Sequence, residues 1–421
     1  MKNNLVFAFF LLLSTLCFAN KPVNWDNKLT AEQNIAANST ALKDSADLSF
    51  LNPIAKQKSI IILGEPGHYE LKTTEAKINL IKYLKNEGFN SVAIETVSFL
   101  SAYVFSNPEF KEKTKNWKAE YFMSSVWTNQ KTFQPLIDML NNKEIKLLGI
   151  DGQLGFYDIT ASSYLLEKFK KEIPLDIEWN RFHNLYLRRL VFYMMPETYK
   201  PLNVNEEYEL MNTVNKVSNY VGYIISKKGN TQDLKALLQW VQNVKNAFPY
   251  IKYNKIVEGM KTAADTTFVT YIERNRDEMM AKNVIWHAEN DPKAKFTVWC
   301  ANYHASKNLS QEFNPNDSLL YFTTQTMGEF LSNSSIEKKI YTLAITSKNM
   351  YEWSKDGKLE LEIAKYIKNA PFAFVDFETL RFAEGYWNKT FNASIRINRD
   401  GKFLYCYDGL YYLRDQELNN K

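Results

Sequence analysis

The sequence predicts an α/β fold in which a mainly parallel sheet is covered by helices and a large helical lobe is inserted between the two halves of the sheet. Two observations support it. Near both ends of the chain, continuous apolar runs of the kind found in strands buried on both faces alternate with helical patterns. The stretch 161–286 between them has long helical patterns and almost no strand signal.

The first 19 residues have the pattern of a signal peptide. Lys2 supplies a positive charge, residues 5–13 form a short apolar run, and Ala19 is a small residue suited to cleavage. Lipid attachment at Cys17 is the less favoured alternative, because Leu16 is bulkier than such sites usually accept. No later run is apolar enough to span a bilayer. We therefore expect an exported protein, periplasmic or extracellular, with no integral membrane segment in the mature chain.

Residues 20–57 predict a polar lead-in, irregular or helical, and residues 58–160 predict the first half of the α/β core. Strand-like apolar runs in that half lie at 59–63, 91–94 and 146–150. The helix after the first run has apolar residues at near-helical spacing and ends at Gly88.

Residues 161–286 predict the helical lobe, with helical patterns at 206–226, 232–247 and 256–283. Residues 287–421 predict the second half of the core, with strand-like runs at 296–300, 340–345 and 372–375. A C-terminal hairpin is expected around Asp400-Gly401, between the runs 395–398 and 403–407, because Asp-Gly favours the tight turn between two antiparallel strands.

The composition disfavours two classes of function. Formal net charge is +5, but basic residues are scattered among acidic ones, so we expect no nucleic acid partner. The chain has three cysteines and no CxxC pair, which disfavours a thiolate metal site. Cys300 and Cys406 could pair in an oxidising compartment or remain buried thiols, and the sequence leaves this open.

Polar side chains follow four of the predicted strands, at the point where each strand ends. They are Glu65 with His68, Glu95, Asp151 with Gln153, and Asn302 with His304. Loops are generally polar, so one such position indicates little by itself. Ligands bind at the carboxyl ends of strands in open parallel sheets, so four together predict one shared cleft.

The chemistry of this cleft is coherent for hydrolysis. A neutral His68 can take a proton from water, and Glu65 or Glu95 can fix its tautomer and stabilise the imidazolium. The chain has no G-x-S-x-G, HExxH or P-loop motif, and this chemistry requires neither a covalent nucleophile nor a cofactor. Two histidines with carboxylates could instead bind a divalent metal, which is the alternative mechanism.

Four segments, in matching order and spacing from about residue 58 to residue 409, resemble motifs of the erythromycin esterase family. They are Gly64-Glu65-x-x-His68 with Gly88-Phe89 and Val92-Ala93-Ile94-Glu95, Gly149-Ile150-Asp151-Gly152-Gln153, Arg276-Asp277-x-x-Met280-Ala281-x-Asn283, and Val298-Trp299-x-x-Asn302-x-His304.

The resemblance implies an α/β core with a helical lobe and a cleft between them. It also implies water-mediated hydrolysis of a macrolactone or related small-molecule ester. His68 would be the general base, supported by Glu65, Glu95 and His304. Arg276 would contact substrate or oxyanion, or pair with a carboxylate. We assign the remaining substrate contacts to Asn302, Asp151, Gln153 and Tyr69.

Two positions depart from the family pattern: Ala301 replaces the first histidine of its H-N-x-H motif, and Tyr69 replaces the glycine after the motif histidine. Ala301 motivates a third hypothesis, a binding protein without turnover. The signal peptide argues against a macrolide as natural substrate, because an exported enzyme does not protect cytoplasmic ribosomes.

Overall fold

The computed structural model describes residues 26–68, 70–152, 155, 157–168, 178–194, 202–259, 263–312, 325–348, 357–381, 389–395 and 399–414. The predicted signal peptide, Cys17, Tyr69 and Gln153 lie outside the described residues. Among the residues described, no helix is both long and apolar enough to cross a bilayer.

An eight-stranded, mostly parallel sheet forms the centre of the molecule, which confirms the predicted α/β class. The described strands are β1 Thr40–Leu42, β2 Ile60–Leu63, β3 Ser91–Ser98, β4 Lys146–Asp151, β5 Phe296–Trp299, β6 Ile340–Ser347, β7 Phe372–Asp376, β8 Phe391–Ala393, β9 Arg399–Gly401 and β10 Gly409–Leu413. The order in the large sheet is β1-β7-β10-β6-β2-β5-β3-β4, and a separate two-stranded sheet pairs β8 with β9. Each pair of neighbours from β10 to β4 in this order is parallel, whereas β7 is antiparallel to both β1 and β10.

The central strands are apolar because both of their faces are covered. All four residues of β2 are buried, and alternate side chains enter different cores. Ile60 and Ile62 pack into one apolar cluster, while Ile61 and Leu63 pack into the cluster on the other face. The uninterrupted run 59–63 therefore reflects a strand between two layers of helices.

Helices cover both faces of the sheet and form the lobe. The described α-helices are Ala31–Ala37, Leu51–Gln57, Leu71–Asn86, Phe99–Ser106, Ser125–Thr128, Gln134–Asn141, Asp158–Lys168, Trp179–Met194, Val204–Lys228, Gln232–Gly259, Ala263–Asn290, Asn302–Ala305, Leu309–Glu312, Met327–Ser332, Lys358–Tyr366 and Phe377–Arg381. A capping box at Asn203, in which its side chain and that of Glu206 satisfy each other's backbone N–H groups, starts the helix Val204–Lys228.

The long helix Ala263–Asn290 joins the lobe to the sheet. Asn283 on this helix donates from Nδ2 to the carbonyl of Ile150 in β4 at 2.8 Å. Its Oδ1 accepts from Gln239 and Asn243 of the lobe at 2.7 and 3.1 Å. One buried side chain thus fixes the lobe, the long helix and β4 together.

Two parts of the chain differ from expectation. The lead-in contains β1, a three-residue strand on the sheet edge. The predicted C-terminal turn was wrong: Arg399–Gly401 is strand β9 and pairs antiparallel with β8, and Phe403–Tyr405 is a short 3₁₀ helix. Gly401 allows a close approach of backbones, because a Cβ there would lie 2.5 Å from the carbonyl oxygen of Glu312.

Candidate active site

The carboxyl ends of four adjacent strands, β2, β5, β3 and β4, carry the candidate site. The loop after β2 supplies Glu65 and His68, and the helix after β5 supplies His304. Glu95 lies in β3 directly after its last pair with β5, Ile94 with Trp299, and Asp151 ends β4. These strand ends therefore meet at one edge, and Arg276 reaches them from the long helix.

His68 is held by a buried carboxylate. Its Nδ1 lies 2.6 Å from Oε1 of Glu65, and the Glu65 side chain is 1% exposed while that of His68 is 35% exposed. Burial lowers the pKa of His68, but the hydrogen bond and charge of Glu65, followed by the charge of Glu95, raise it, and the net shift is upward. A protonated Nδ1 that donates to Glu65 leaves Nε2 as an acceptor.

Lys77 completes this group, and it is not among the site residues predicted from the sequence. Its Nζ donates to Oε2 of Glu65 at 2.9 Å and to the carbonyl of Cys300 at 3.2 Å, and lies 4.2 Å from the centre of the Trp299 ring. The side chain is fully buried, and burial lowers its pKa despite the opposing charge of Glu65. The available signal was a lysine on the apolar face of the helix Leu71–Asn86.

Two further side chains hold the segment around His68. Gln130 donates from Nε2 to the backbone carbonyl of His68 at 2.9 Å and accepts from Thr74 at 3.0 Å. The ring of Trp127 packs edge-on against the imidazole, with centroids 5.2 Å apart. Contacts on its backbone and ring, together with Glu65, fix the position of His68.

Arg276 is a carboxylate partner in this structure. It donates from Nη2 to Asp151 Oδ2 at 2.7 Å and from Nε to Asp151 Oδ1 at 3.3 Å, a paired contact. Nη2 also donates to Glu95 Oε1 at 3.2 Å. The side chain is buried, so it joins the ends of β3 and β4 to the long helix.

His304 lies between two acids. Its Nδ1 is 2.6 Å from Asp277 Oδ1, and its Nε2 is 3.2 Å from Glu95 Oε1. Burial lowers the pKa of His304, but the charges of Asp277 and Glu95 outweigh this and raise it to about 10. His304 is therefore an imidazolium at neutral pH and does not act as a base there.

Glu95 is the acid that connects the two histidines. Burial raises the pKa of its carboxyl group, but the charge and hydrogen bond of His304 and the charge of Arg276 hold it well below the usual range. Its Oε2 accepts the backbone N–H of Ala301 at 2.8 Å. Since the charges of Glu95 and His68 influence each other's pKa, both histidines belong to one electrostatic group.

The next residue, Thr96, has a backbone φ of 72°. This left-handed conformation is strained for a β-branched side chain, and such strain is concentrated at functional sites. The Thr96 N–H donates to Asp151 Oδ2 at 3.1 Å. This hydrogen bond holds the Asp151 carboxylate beside the backbone that directly follows Glu95.

Asn302 has a different role from the substrate contact we predicted. Its side chain is fully buried, donates from Nδ2 to the carbonyls of Ile345 and Ile395, and accepts from the N–H of Ile345 at 3.3 Å. A Cβ on Gly64 would lie 2.0 Å from Asn302 Oδ1, so glycine is required beside it. These contacts give Asn302 a structural role between β5 and β6.

His287, Cys300 and Cys406 are all buried. His287 packs beside β4, where its Nε2 lies 3.0 Å from the carbonyl oxygen of Gly149. Cys300 and Cys406 are both buried and form no disulfide, which answers the question of their pairing. Within the described ranges, no group of three His, Cys, Asp or Glu side chains could hold a metal ion.

Known proteins show the same fold. No family model matches the chain. The Bacillus subtilis (strain 168) protein YbfO, named as a proposed hydrolase, is 23% identical over 312 residues, which are 71% of this chain and 67% of that protein. A Bacillus cereus protein of known structure has a TM-score of 0.66 at 14% identity, over 93% of this chain and 98% of that one.

Two further solved structures have names that describe a function. A succinoglycan biosynthesis protein has a TM-score of 0.65 at 13% identity and covers 93% of this chain and 98% of its own. A histidine-to-asparagine variant of the erythromycin esterase EreC, in its open conformation, has a TM-score of 0.64 at 14% identity, over 91% of this chain and 98% of that one. The fold implied by the motifs is therefore confirmed: this chain has the fold of erythromycin esterase, with a divergent sequence.

Proposed function

We propose that this protein is a hydrolase that cleaves an ester or lactone with water activated by His68. The pairing of His68 with Glu65 at 2.6 Å carries the proposal, because it joins a partly exposed imidazole to a buried carboxylate. The erythromycin esterase fold and the likeness to YbfO support hydrolysis as the class of reaction.

The reaction begins with a water molecule beside Nε2 of His68. Nε2 takes a proton from water as the oxygen attacks the carbonyl carbon, and Glu65 stabilises the imidazolium that forms. The tetrahedral intermediate then collapses, and the carbon–oxygen bond to the leaving alkoxide breaks. His68 returns its proton to that oxygen, which yields an alcohol and a carboxylic acid and restores the neutral imidazole.

The other charged side chains support this base. Lys77 keeps Glu65 paired, while Arg276 and His304 keep Glu95 ionised and fixed. Glu65 raises the pKa of His68 through its hydrogen bond and its charge, and Glu95 raises it through charge alone. A more basic imidazole is a stronger proton acceptor, so the buried cations act on the reaction through the carboxylates.

The proposed substrate is a small ester or lactone, encountered after export to the periplasm or the exterior. EreC is named as an erythromycin esterase, which supports an ester as the bond that is cleaved. The pattern of residues 1–19 supports export and thereby a substrate other than a macrolide drug.

The test is hydrolysis by the purified protein of p-nitrophenyl esters and of a panel of lactones. We expect turnover that His68→Asn removes and that a chelator leaves unchanged. Glu75→Gln is the matched control, because Glu75 is on the helix Leu71–Asn86 with its side chain 48% exposed. Equal turnover by wild type and His68→Asn would contradict the proposal, and loss of activity in chelator with recovery on added zinc would favour a metal mechanism.

A further inference from the structure

Two adjoining cavities lie at the amino-terminal edge of the sheet, where the helical lobe meets the strands. The first has a volume of 170 Å³ and is lined by the starts of three strands, at Ser91, Lys146 and Phe296. The second has a volume of 380 Å³ and lies against the lobe helices. Trp286 and Asn290 line both, so we treat the two cavities as one site, the lobe groove.

The lobe groove is separate from the candidate active site. The long helix carries Arg276 at one end of the sheet and Asn290 at the other. At about 1.5 Å per residue the two positions are about 21 Å apart along the helix. A small ligand in the lobe groove therefore does not reach His68.

Side-chain amides and aromatic rings characterise its lining. Trp286 is partly exposed and packs edge-on to Tyr103, with centroids 5.9 Å apart. The charges offset one another, since Lys146 and Lys235 are matched by Asp291 and Glu289. The amides are Asn107, Asn230, Gln232, Gln239, Gln242 and Asn290.

Three of these amides are available to a ligand. Asn230, Gln232 and Gln242 are exposed, and their side chains form no hydrogen bond with any described residue. Each amide offers donors and an acceptor together, as a sugar hydroxyl does. Three such groups around one groove can bind several hydroxyl groups at once.

His287 lines the first cavity with a buried imidazole. It is 7% exposed, and its Nε2 lies 3.0 Å from the carbonyl of Gly149. Burial lowers the pKa of His287 to about 4, so the ring is neutral and donates from Nε2. Its Nδ1 is then an acceptor, and it has no partner among the described residues.

We propose that the lobe groove binds a neutral carbohydrate, such as a short oligosaccharide. The amides and His287 match hydroxyl groups, and the partly exposed ring of Trp286 can pack against the apolar C–H groups of a sugar. The balanced charge of the lining suits a neutral ligand better than a phosphate or a cation. The two volumes together fall within about 300–1,000 Å³, the usual range for small-ligand sites.

The test is a glycan array probed with labelled wild-type protein, followed by calorimetric titration with the neutral glycan that binds most strongly. We expect Asn230→Ala/Gln242→Ala to weaken binding at least tenfold. Asn212→Ala removes an exposed amide from the helix Val204–Lys228 outside the groove and should bind as wild type. His68→Asn should also bind as wild type, so this test is independent of the proposed hydrolysis.

Three results would overturn the proposal: no neutral glycan bound on the array, binding only of sulfated or sialylated glycans, or unchanged affinity in the double variant. Trp286→Leu provides a second test through stacking, because it keeps an apolar side chain against Tyr103. A tenfold or greater loss of glycan affinity in the folded Trp286→Leu variant supports the site, and an unchanged affinity contradicts it.

Discussion

The substitution Glu65→Gln tests the interaction that makes His68 a base. It removes the carboxylate that lies 2.6 Å from Nδ1 while keeping the shape of the side chain. An ion pair with charges about 4 Å apart is worth about 4 kcal/mol at an effective dielectric constant of about 20. The His68 side chain is 35% exposed. Water therefore screens part of this attraction, and we take about 2 kcal/mol, which lowers kcat/KM about 30-fold.

The pKa of His68 should fall in the same variant. Burial lowers this pKa, and the hydrogen bond to Glu65 is the largest of the effects that raise it. The assay is kcat/KM for a p-nitrophenyl ester as a function of pH. We expect a slower reaction whose acid limb has moved to lower pH, because a weaker base is deprotonated at lower pH and accepts a proton less readily.

Loss of Glu65 also leaves Lys77 buried without its carboxylate. Breaking a buried ion pair by removing one partner costs about 3–5 kcal/mol, whereas removing both charges costs less. Glu65→Gln/Lys77→Met should therefore recover unfolding free energy in urea without recovering activity. An acid limb that stays in place in a folded Glu65→Gln variant, or a wild-type rate in both variants, would refute the reasoning.

Two other predictions follow from the site. For wild type, kcat/KM should rise as pH increases through a pKa above 6.5, where His68 loses its proton. It should fall as pH passes about 10, where His304 loses the proton that keeps Glu95 paired. Initial rates from pH 5 to 11 measure this profile, and constant kcat/KM above pH 9 would count against the role of His304. Asn302→Ala should lower the free energy of unfolding by about 2–5 kcal/mol, because it leaves buried backbone groups of Ile345 and Ile395 unpaired. KM of the folded variant should be unchanged, and Asn212→Ala is the control. A raised KM at wild-type stability would instead show that Asn302 contacts the substrate.

The central strands could be predicted from the sequence, because a strand covered on both faces is a short, uninterrupted apolar run. β1 has no such run: two of its three residues are exposed on the sheet edge. Near the C-terminus, the Asp-Gly pair indicated a turn. In the structure, the glycine at Gly401 instead allows the backbone to pass close to the carbonyl oxygen of Glu312. That contact joins distant parts of the chain, so no local pattern reveals it.

The site was predictable to the extent that it depends on strand ends. Parallel strands place Glu65, Glu95 and Asp151 at one edge, whatever their order in the sheet. The partners that fix them were harder to predict, since Lys77 comes from a helix and contacts the carbonyl of Cys300, 223 residues away. Asn302 had the position of a ligand contact, and only its buried contacts showed otherwise.

Chemical rescue of His68→Ala tests the central claim most directly. The imidazole of His68 is partly exposed, so exogenous imidazole can enter the space that the substitution leaves. We predict that ester hydrolysis falls about 100-fold or more, as expected for loss of a general base, and that added imidazole restores part of the rate in proportion to its neutral form. Hydrolysis at the wild-type rate in the absence of imidazole, or an acyl group bound covalently to the wild-type protein during turnover, would contradict the account.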